Sequence, residues 1–338
     1  MKGFAFLLCA LMIASQVVAE DGVARWVSIV STKDGTSQPA WFWAPETRQK
    51  VPLLVDLHSW SAGCERNGEP NARFLADCRR AGWAIIGPHF RGPNKTPQAC
   101  GSDLAVQDVV GAVAWAKEHV AVDDDRVYLA GSSGGGMMAL LAAGRHPEIW
   151  AGCCAACPIS DLARWHRECS AFTDWRHQYA VMMEESCGGT PVTRNGEFAS
   201  RSPLTHLGAA RHQGLAIDIY EGIHDGHTGS VPVGHAIRAF NALADEKSRI
   251  SESDIAFVEQ NEKMPVHLAG TWNDPFFGDA LRIHFRRMSD NVRLTLFEGG
   301  HSGNNAAAFD WLGRQRRGRP ADWSIPKSGK GREDVSLK

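Results

Sequence analysis

Val127-Tyr128-Leu129-Ala130-Gly131-Ser132-Ser133-Gly134-Gly135-Gly136 contains a short apolar strand that runs directly into a Gly-x-Ser-x-Gly turn, and this junction indicates the fold. Residues 137–143 have helical composition, so the motif stands between a strand and a helix. Glycine at positions 131 and 135 omits the side chains that would collide where strand and helix meet so closely. We therefore expect Ser133 at the tip of a strained turn, with its hydroxyl exposed as a nucleophile. Ser132 is the alternative nucleophile, in a frame that fits the turn less well.

The composition is that of an ordinary soluble enzyme, with 338 residues, 43% of them hydrophobic, and a formal net charge of −2. This length suffices for one α/β domain with a substantial core. The near-neutral charge argues against nucleic acid as a partner, because phosphate binding needs a concentrated positive face. Beyond the N-terminal segment no apolar run reaches membrane-spanning length, so we expect no stable membrane insertion.

Residues 1–19 have the three parts of a secretory signal peptide: Lys2, an apolar stretch over 4–13, and small residues at 17–19. We therefore expect a cleaved signal and a secreted or periplasmic protein. Of the nine cysteines, eight would remain after cleavage, an even number in an oxidising compartment. Two disulfides are expected, Cys78 with Cys100 and Cys169 with Cys187. Buried thiols are expected for the three cysteines of one apolar strand, Cys153, Cys154 and Cys157.

Strand-like and helical runs alternate along the chain, which favours a doubly wound, mostly parallel sheet with helices on both faces. Eight strand-like runs are predicted, at 24–31, 39–44, 52–58, 82–88, 126–131, 151–158, 215–221 and 292–298. Helices are expected near 71–81, 108–116, 133–145, 232–246 and 304–313. The expected catalytic domain is 20–324, with insertions after strands six and seven (160–205, a cap over the site, and 248–290) and a flexible tail over 325–338.

A serine hydroxyl needs an imidazole to accept its proton and a carboxylate to orient that imidazole. His301 follows the last strand-like run after two glycines, so it is the expected general base. Asp225 lies just beyond the seventh run, at the sheet edge where the serine also emerges, and is the expected acid. Asp218 lies inside that strand and is disfavoured, whereas Asp274 in the second insertion is the reserve candidate.

The developing oxyanion needs backbone donors fixed in advance. We expect the N–H of Gly134, at the start of a helix, and the N–H of Trp60 in the loop after the third strand, with Ser59 as the second choice. Trp60 and His58 are also expected to contact substrate. His224-Asp225-Gly226-His227 lacks a known metal-ligand spacing, so neither a metal nor a cofactor is expected.

These landmarks together resemble an α/β-hydrolase, and within that superfamily the prolyl-oligopeptidase-type catalytic domain and related secreted esterases. The matching segments are Asp56–Trp60, Phe90-Arg91-Gly92, the Ser133 motif, Arg201–Leu204, Glu221 to Pro232 and Gly299-Gly300-His301. The resemblance implies a Ser133–Asp225–His301 triad. The usual His-Gly after the third strand is His58-Ser59 here, a departure at the oxyanion loop.

We expect an exported serine hydrolase that forms an acyl-enzyme and cleaves short-chain or carbohydrate-linked carboxylic esters. The short stretch between the signal and the first strand leaves no room for an N-terminal propeller, which favours an esterase over a large oligopeptidase. Twelve tryptophans against three tyrosines would suit stacking on sugar rings. The alternatives are a prolyl-oligopeptidase-like peptidase on short peptides and a catalytically inactive binding protein with the same fold.

Overall fold

Eleven strands are found in the computed structural model, which describes residues 23–325. In chain order they are β1 (Arg25–Val30), β2 (Ser37–Trp43), β3 (Val51–Leu57), β4 (Glu65–Arg66), β5 (Glu69–Pro70), β6 (Ala84–Pro88), β7 (Val122–Ser132), β8 (Gly152–Ala156), β9 (Ile217–Gly222), β10 (Ile283–Ser289) and β11 (Val292–Phe297). Strands β4 and β5 form a separate small hairpin, and the other nine form one sheet in the order β1-β2-β6-β3-β7-β8-β9-β11-β10.

Parallel pairing in the middle of this sheet brings the functional loops to one edge. Strands β6, β3, β7, β8, β9 and β11 are parallel to one another, whereas β2 pairs with β1 and β6, and β10 with β11, in antiparallel fashion. Leu57 of β3 pairs with Gly131 of β7, and Gly222 of β9 pairs with Phe297 of β11. The loops that follow these four strands therefore leave the sheet at the same edge.

Helices cover both faces of the sheet, as the alternating pattern predicted. The helices are α1 (Leu75–Ala81), α2 (Asp103–His119), α3 (Gly134–Arg145), α4 (Leu162–Ser170), α5 (His177–Cys187), α6 (Asn195–Ser200), α7 (Leu207–Gln213), α8 (Gly234–Leu243), α9 (Glu252–Asn261) and α10 (Asn305–Arg314), with short 3-10 turns at Pro203–Thr205 and Glu246–Ser248. One apolar core contains buried residues of α2, α3, α7, α8 and α9, and the other contains those of α1 and α10. The mostly parallel sheet with helices on both faces is thus confirmed.

The segment 160–205 forms α4, α5 and α6 and a small apolar core of its own. Buried side chains of these helices, among them Trp165 and Phe198, cluster with Trp60 from the loop after β3 and with Val231. Trp60 and Trp165 pack edge to face at 4.7 Å between ring centroids. This contact places the three helices beside the loops at the carboxyl edge of the sheet.

The sheet has nine strands, whereas we predicted eight. The additional strand is β10, which lies in the segment 248–290 that we expected to be an insertion. Its sequence contains Arg286 and Arg287, so this edge strand has the composition of a polar loop. Arg286 is nevertheless buried, in an ion pair with Asp274 at 2.9 Å. Antiparallel pairing with β11 then completes the sheet.

The expected disulfides are absent from the described residues, whose eight cysteines are all buried and unpaired by covalent bonds. Cys78 and Cys100 lie in different apolar clusters and form no bond with each other. Cys169 and Cys187 share a cluster, but the thiol that contacts Cys187 is that of Cys100. Spacing alone could not identify that neighbour, since it depends on how α5 packs against the loop before α2.

The signal segment 1–19 and nearly all of the expected tail 325–338 lie outside the described residues. Among residues 23–325, no helix has the length and apolar character that a membrane crossing requires.

Candidate active site

Ser133 has a positive backbone φ between β7 and α3, with φ of 60° and ψ of −123°. Such a conformation is costly for a residue with a side chain and is maintained only when the surroundings enforce it. The Ser133 N–H donates to the carbonyl of Ala156 at 2.8 Å, and Met137 donates back to the Ser133 carbonyl at 2.9 Å. The turn thus has the geometry that the motif predicts. Ser132, the alternative nucleophile, is the last residue of β7.

The glycines around Ser133 are required by close backbone contacts. A Cβ at Gly131 would lie 2.1 Å from the carbonyl oxygen of Gly135, and a Cβ at Gly135 would lie 2.2 Å from that of Leu57. Both distances are far below van der Waals contact. The start of α3 therefore packs directly on β7 and on the end of β3.

His301 and Asp225 meet across the loops that follow β11 and β9. Nδ1 of His301 lies 2.5 Å from Oδ2 of Asp225, whose side chain is completely buried. The other oxygen, Oδ1, accepts hydrogen bonds from the N–H groups of Gly226 at 2.8 Å and Val231 at 3.3 Å. These bonds fix the carboxylate, which in turn fixes the orientation of the imidazole.

The other two carboxylates considered as the acid are engaged elsewhere. Asp218 forms a buried ion pair with Arg293 and accepts a hydrogen bond from the hydroxyl of Tyr220 at 2.5 Å. Asp274 pairs with Arg286. Of the three candidates, only Asp225 contacts the imidazole of His301 within the described residues.

Two backbone N–H groups are available for an oxyanion beside Ser133. The backbone of Trp60 packs against Gly134, since a Cβ on that glycine would lie 2.5 Å from the Trp60 nitrogen. Neither the N–H of Trp60 nor that of Gly134 donates to an acceptor within residues 23–325. Unpaired donors at the start of a helix suit a developing negative charge. Ser59, the second choice for the oxyanion donor, directly precedes Trp60 in the same loop.

His58 is buried and its ring stacks on Phe90 at 3.8 Å between centroids. Its Nε2 lies 2.7 Å from the carbonyl of His89, and Nδ1 lies 3.0 Å from that of Ser59. Burial lowers the pKa of His58 to about 4, so the ring is neutral at physiological pH. The ring therefore anchors the loop after β3, and the residue also contributes to the wall of the catalytic cavity.

Ser133 and His301 line one cavity of about 450 Å³. Trp60, Trp175 and Tyr179 supply an aromatic wall, in which Trp175 and Tyr179 pack edge to face at 5.9 Å. The predicted nucleophile, base and oxyanion loop thus open on the same space, while Asp225 lies buried behind His301.

Sequence analysis missed a bridge between the acid loop and the base loop. Nε2 of His224 lies 2.7 Å from Glu298, and its Nδ1 lies 2.7 Å from Glu262 at the end of α9. The hydrogen bond to Glu298, assisted by that to Glu262, raises the pKa of His224 above its usual value. The sequence positions could have indicated this bridge, because His224 directly precedes Asp225 and Glu298 precedes the two glycines before His301.

A buried carboxyl group behind the acid was also missed. Glu221 is fully buried, and neither of its carboxyl oxygens has a hydrogen-bond partner among the described residues. Burial, and then the neighbouring charge of Asp225, raise the pKa of Glu221 well above its usual value. Cys157 adjoins the same group, and its Sγ, an Asp225 oxygen and a His301 nitrogen lie within 4.8 Å of one another. An uncompensated carboxylate is unfavourable there, which favours the neutral form of Glu221.

Residues 101–260 match the family model described as "Prolyl oligopeptidase family". The matched segment contains Ser133 and Asp225, whereas His301 lies beyond its end. A comparison with curated proteins gives no significant match.

Several solved structures with the same fold are named as peptidases. A Pyrococcus horikoshii acylaminoacyl peptidase is 13% identical, with a TM-score of 0.62 over 91% of this chain and 44% of that chain. A Mycobacterium tuberculosis puromycin-hydrolyzing peptidase is 17% identical, with a TM-score of 0.54 over 85% and 38%. Dipeptidyl peptidase 4 of Porphyromonas gingivalis is 14% identical, with a TM-score of 0.56 over 86% and 35%. The chain spans less than half the length of these proteins, and the likeness shows the fold alone.

Proposed function

We propose that this chain, an α/β-hydrolase with a segment of the prolyl oligopeptidase family, is a serine hydrolase that forms an acyl-enzyme on Ser133. The observation that carries the proposal is the pairing of His301 with buried Asp225 at 2.5 Å, at the edge of the cavity that Ser133 also lines. This arrangement supplies a nucleophile at a strained turn, a base in one fixed tautomer and two unpaired backbone donors.

In the proposed mechanism, Nε2 of His301 accepts the proton of Ser133 as Oγ attacks the substrate carbonyl. Asp225 keeps the remaining proton on Nδ1 and stabilises the imidazolium. The N–H groups of Trp60 and Gly134 bind the oxyanion of the tetrahedral intermediate. His301 then donates its new proton to the leaving group, and water releases the acyl group by the same steps in reverse.

We further propose short peptides as the substrates. The prolyl oligopeptidase match and the peptidase names of the structural neighbours support a serine-type peptidase better than the carboxylesterase that the sequence analysis favoured. Carbohydrate-linked esters have no support beyond the aromatic wall of the cavity, whose rings pack on one another.

A paired panel of amides and esters with the same acyl group tests this assignment. We expect acetyl-alanine 4-nitroanilide to be hydrolysed, and Ser133→Ala to lower kcat by about four to six orders of magnitude. Ser132→Ala is the matched control and should retain activity. Hydrolysis of esters alone would support the carboxylesterase, and no hydrolysis of either class would support the inactive binding protein.

Export remains a proposal that rests on residues 1–19. Expression of the full chain in a bacterial host should yield a mature protein in the periplasm or medium whose N-terminus lies near Glu20. An intact N-terminus on cytoplasmic protein would contradict it.

A further inference from the structure

The wall of the catalytic cavity carries a positively charged side chain and no negatively charged one. Its lining, within the described residues, includes Arg73 and contains no aspartate or glutamate. Asp225 and Asp56 are both buried beneath the surface of the site. A substrate in this cavity therefore faces a guanidinium and no exposed carboxylate.

Arg73 is held rigidly and keeps one end of its guanidinium available. Its Nε lies 3.1 Å from Oδ1 of Asp56, and its Nη2 contacts the same oxygen and the carbonyl of Leu57, the latter at 3.0 Å. Nη1 donates to no acceptor among residues 23–325, and the side chain is 25% exposed. The partner Asp56 is only 1% exposed, so it lies on the side away from solvent. A fixed guanidinium with a free donor edge is suited to a carboxylate ligand.

The position of Arg73 relative to the nucleophile follows from backbone contacts. Leu57, whose carbonyl accepts from Arg73, packs against Gly135, two residues after Ser133. His301 is held by a different loop, the one after β11, and lies next to Gly229, whose Cβ would come within 2.5 Å of the His301 Cβ. The leaving group departs next to the histidine that protonates it. Arg73 is therefore placed to face the acyl part of a substrate.

We propose that Arg73 forms an anion subsite, and that the preferred substrates are those whose acyl part carries a carboxylate near the scissile bond. This inference rests on the proposed serine hydrolase function. A free ammonium group at the same place would meet a cation with no exposed carboxylate to pair with it. Peptides with an acidic or succinylated N-terminal part should thus be preferred over peptides with a free amine.

The test compares kcat/KM for three alanine 4-nitroanilides whose amino group is succinylated, acetylated or free. The wild-type enzyme should favour the succinyl over the acetyl substrate by about 10- to 100-fold, as for a charge-assisted hydrogen bond, and the free amine should be the poorest. The succinyl preference should shrink as salt is added, because the subsite is partly exposed. A succinyl-to-acetyl ratio near one in the wild type would overturn the proposal.

Two variants assign the effect to this side chain. Arg73→Gln should reduce the ratio to near one, whereas Arg73→Lys, which keeps the charge, should retain part of it. The readout is the succinyl-to-acetyl ratio of kcat/KM. Losing the bond from Arg73 to Leu57 lowers turnover of both substrates, so the ratio is not affected by that loss. A ratio unchanged in Arg73→Gln would overturn the proposal, and the wild-type salt series decides it if that variant does not fold.

A separate pair of substrates tests the acyl side against the leaving-group side. Acetyl-alanine amides of aniline and of 4-aminobenzoate differ only in a carboxylate on the leaving group. We expect no preference for the second, and a preference larger than that for the succinyl group would overturn the placement of the subsite. If no amide or ester is hydrolysed at all, the proposed function fails; hydrolysis without charge preference refutes the subsite alone.

Discussion

His301 and Asp225 are 76 residues apart in the sequence, yet Nδ1 of one lies 2.5 Å from Oδ2 of the other. They meet because β9 and β11, the strands that precede them, are parallel neighbours in the sheet. The carboxylate is fully buried and already accepts two backbone hydrogen bonds, so its position does not depend on substrate. The imidazole is therefore oriented before the reaction begins.

Asp225→Asn should lower kcat by about a thousand- to ten-thousandfold, because an amide can leave the imidazole in the wrong tautomer without changing the shape of the site. Steady-state kinetics on a single anilide would measure the loss. Asp174→Asn, at an exposed position paired with Arg176, is the control and should retain activity. Equal activity of the two variants would remove Asp225 from the triad.

Gly131→Ala should disrupt the turn at Ser133, since the new methyl group would lie 2.1 Å from the carbonyl of Gly135. We expect a loss of stability of about 1–3 kcal/mol. Activity should fall by about a hundredfold from misplacement of the nucleophile. Gly111→Ala is the matched control, since no atom lies within 4 Å of its added Cβ in α2, and helix propensity should make it neutral or stabilising. Urea unfolding and kinetics on both variants distinguish these outcomes.

The bridge of His224 to Glu298 and Glu262 should make stability depend on pH. Its pKa is raised in the folded state, so its contribution is complete below the unfolded value near 6.5 and is lost as pH rises through the folded value. His284 and Arg282 also face Glu298, and His227 faces Glu262.

We therefore expect His224→Gln to lower Tm more at pH 6 than at pH 9. The effect should be modest because the imidazole is 31% exposed and screened by solvent. His212→Gln, an exposed position on α7, is the control and should show no pH-dependent difference. A Tm deficit of His224→Gln that is constant with pH would contradict the account.

Glu221→Gln should gain stability relative to the wild type as pH rises. The folded protein retains a proton on the buried carboxyl that the unfolded chain releases above about pH 4.5, so wild-type stability falls over that interval. The neutral amide has no such proton to lose. Chemical unfolding at pH 5 and pH 8 measures the difference, and a variant less stable than the wild type at both values by the same amount would show that Glu221 is ionised.

Much of the fold could be predicted because central strands such as β3 and β6 are continuous apolar runs. The glycines that follow β7 and β11 likewise indicated where the nucleophile and base emerge. Strand β10 was missed because its arginine at 286 is neutralised by Asp274, a partner that sequence pattern does not reveal.

Contacts between distant loops were also beyond sequence analysis. Arg73 and Asp56 are 17 residues apart, and nothing in either local pattern indicates that one orients the other beside Ser133. The predicted disulfide pairs were wrong for the same reason. Residue types and their order predicted that Asp225 and His301 would meet, while the charge of the cavity became apparent only from the assembled loops.

Covalent labelling can identify the nucleophile without any choice of substrate. The folded protein would be incubated with a fluorophosphonate, digested and mapped by mass spectrometry, with Ser133→Ala and Ser132→Ala treated in parallel. We predict a single adduct on Ser133 in the wild type and in Ser132→Ala, and no adduct in Ser133→Ala. An adduct on another residue, or an unlabelled wild-type protein that is shown to be folded, would contradict the assignment of Ser133 as the nucleophile.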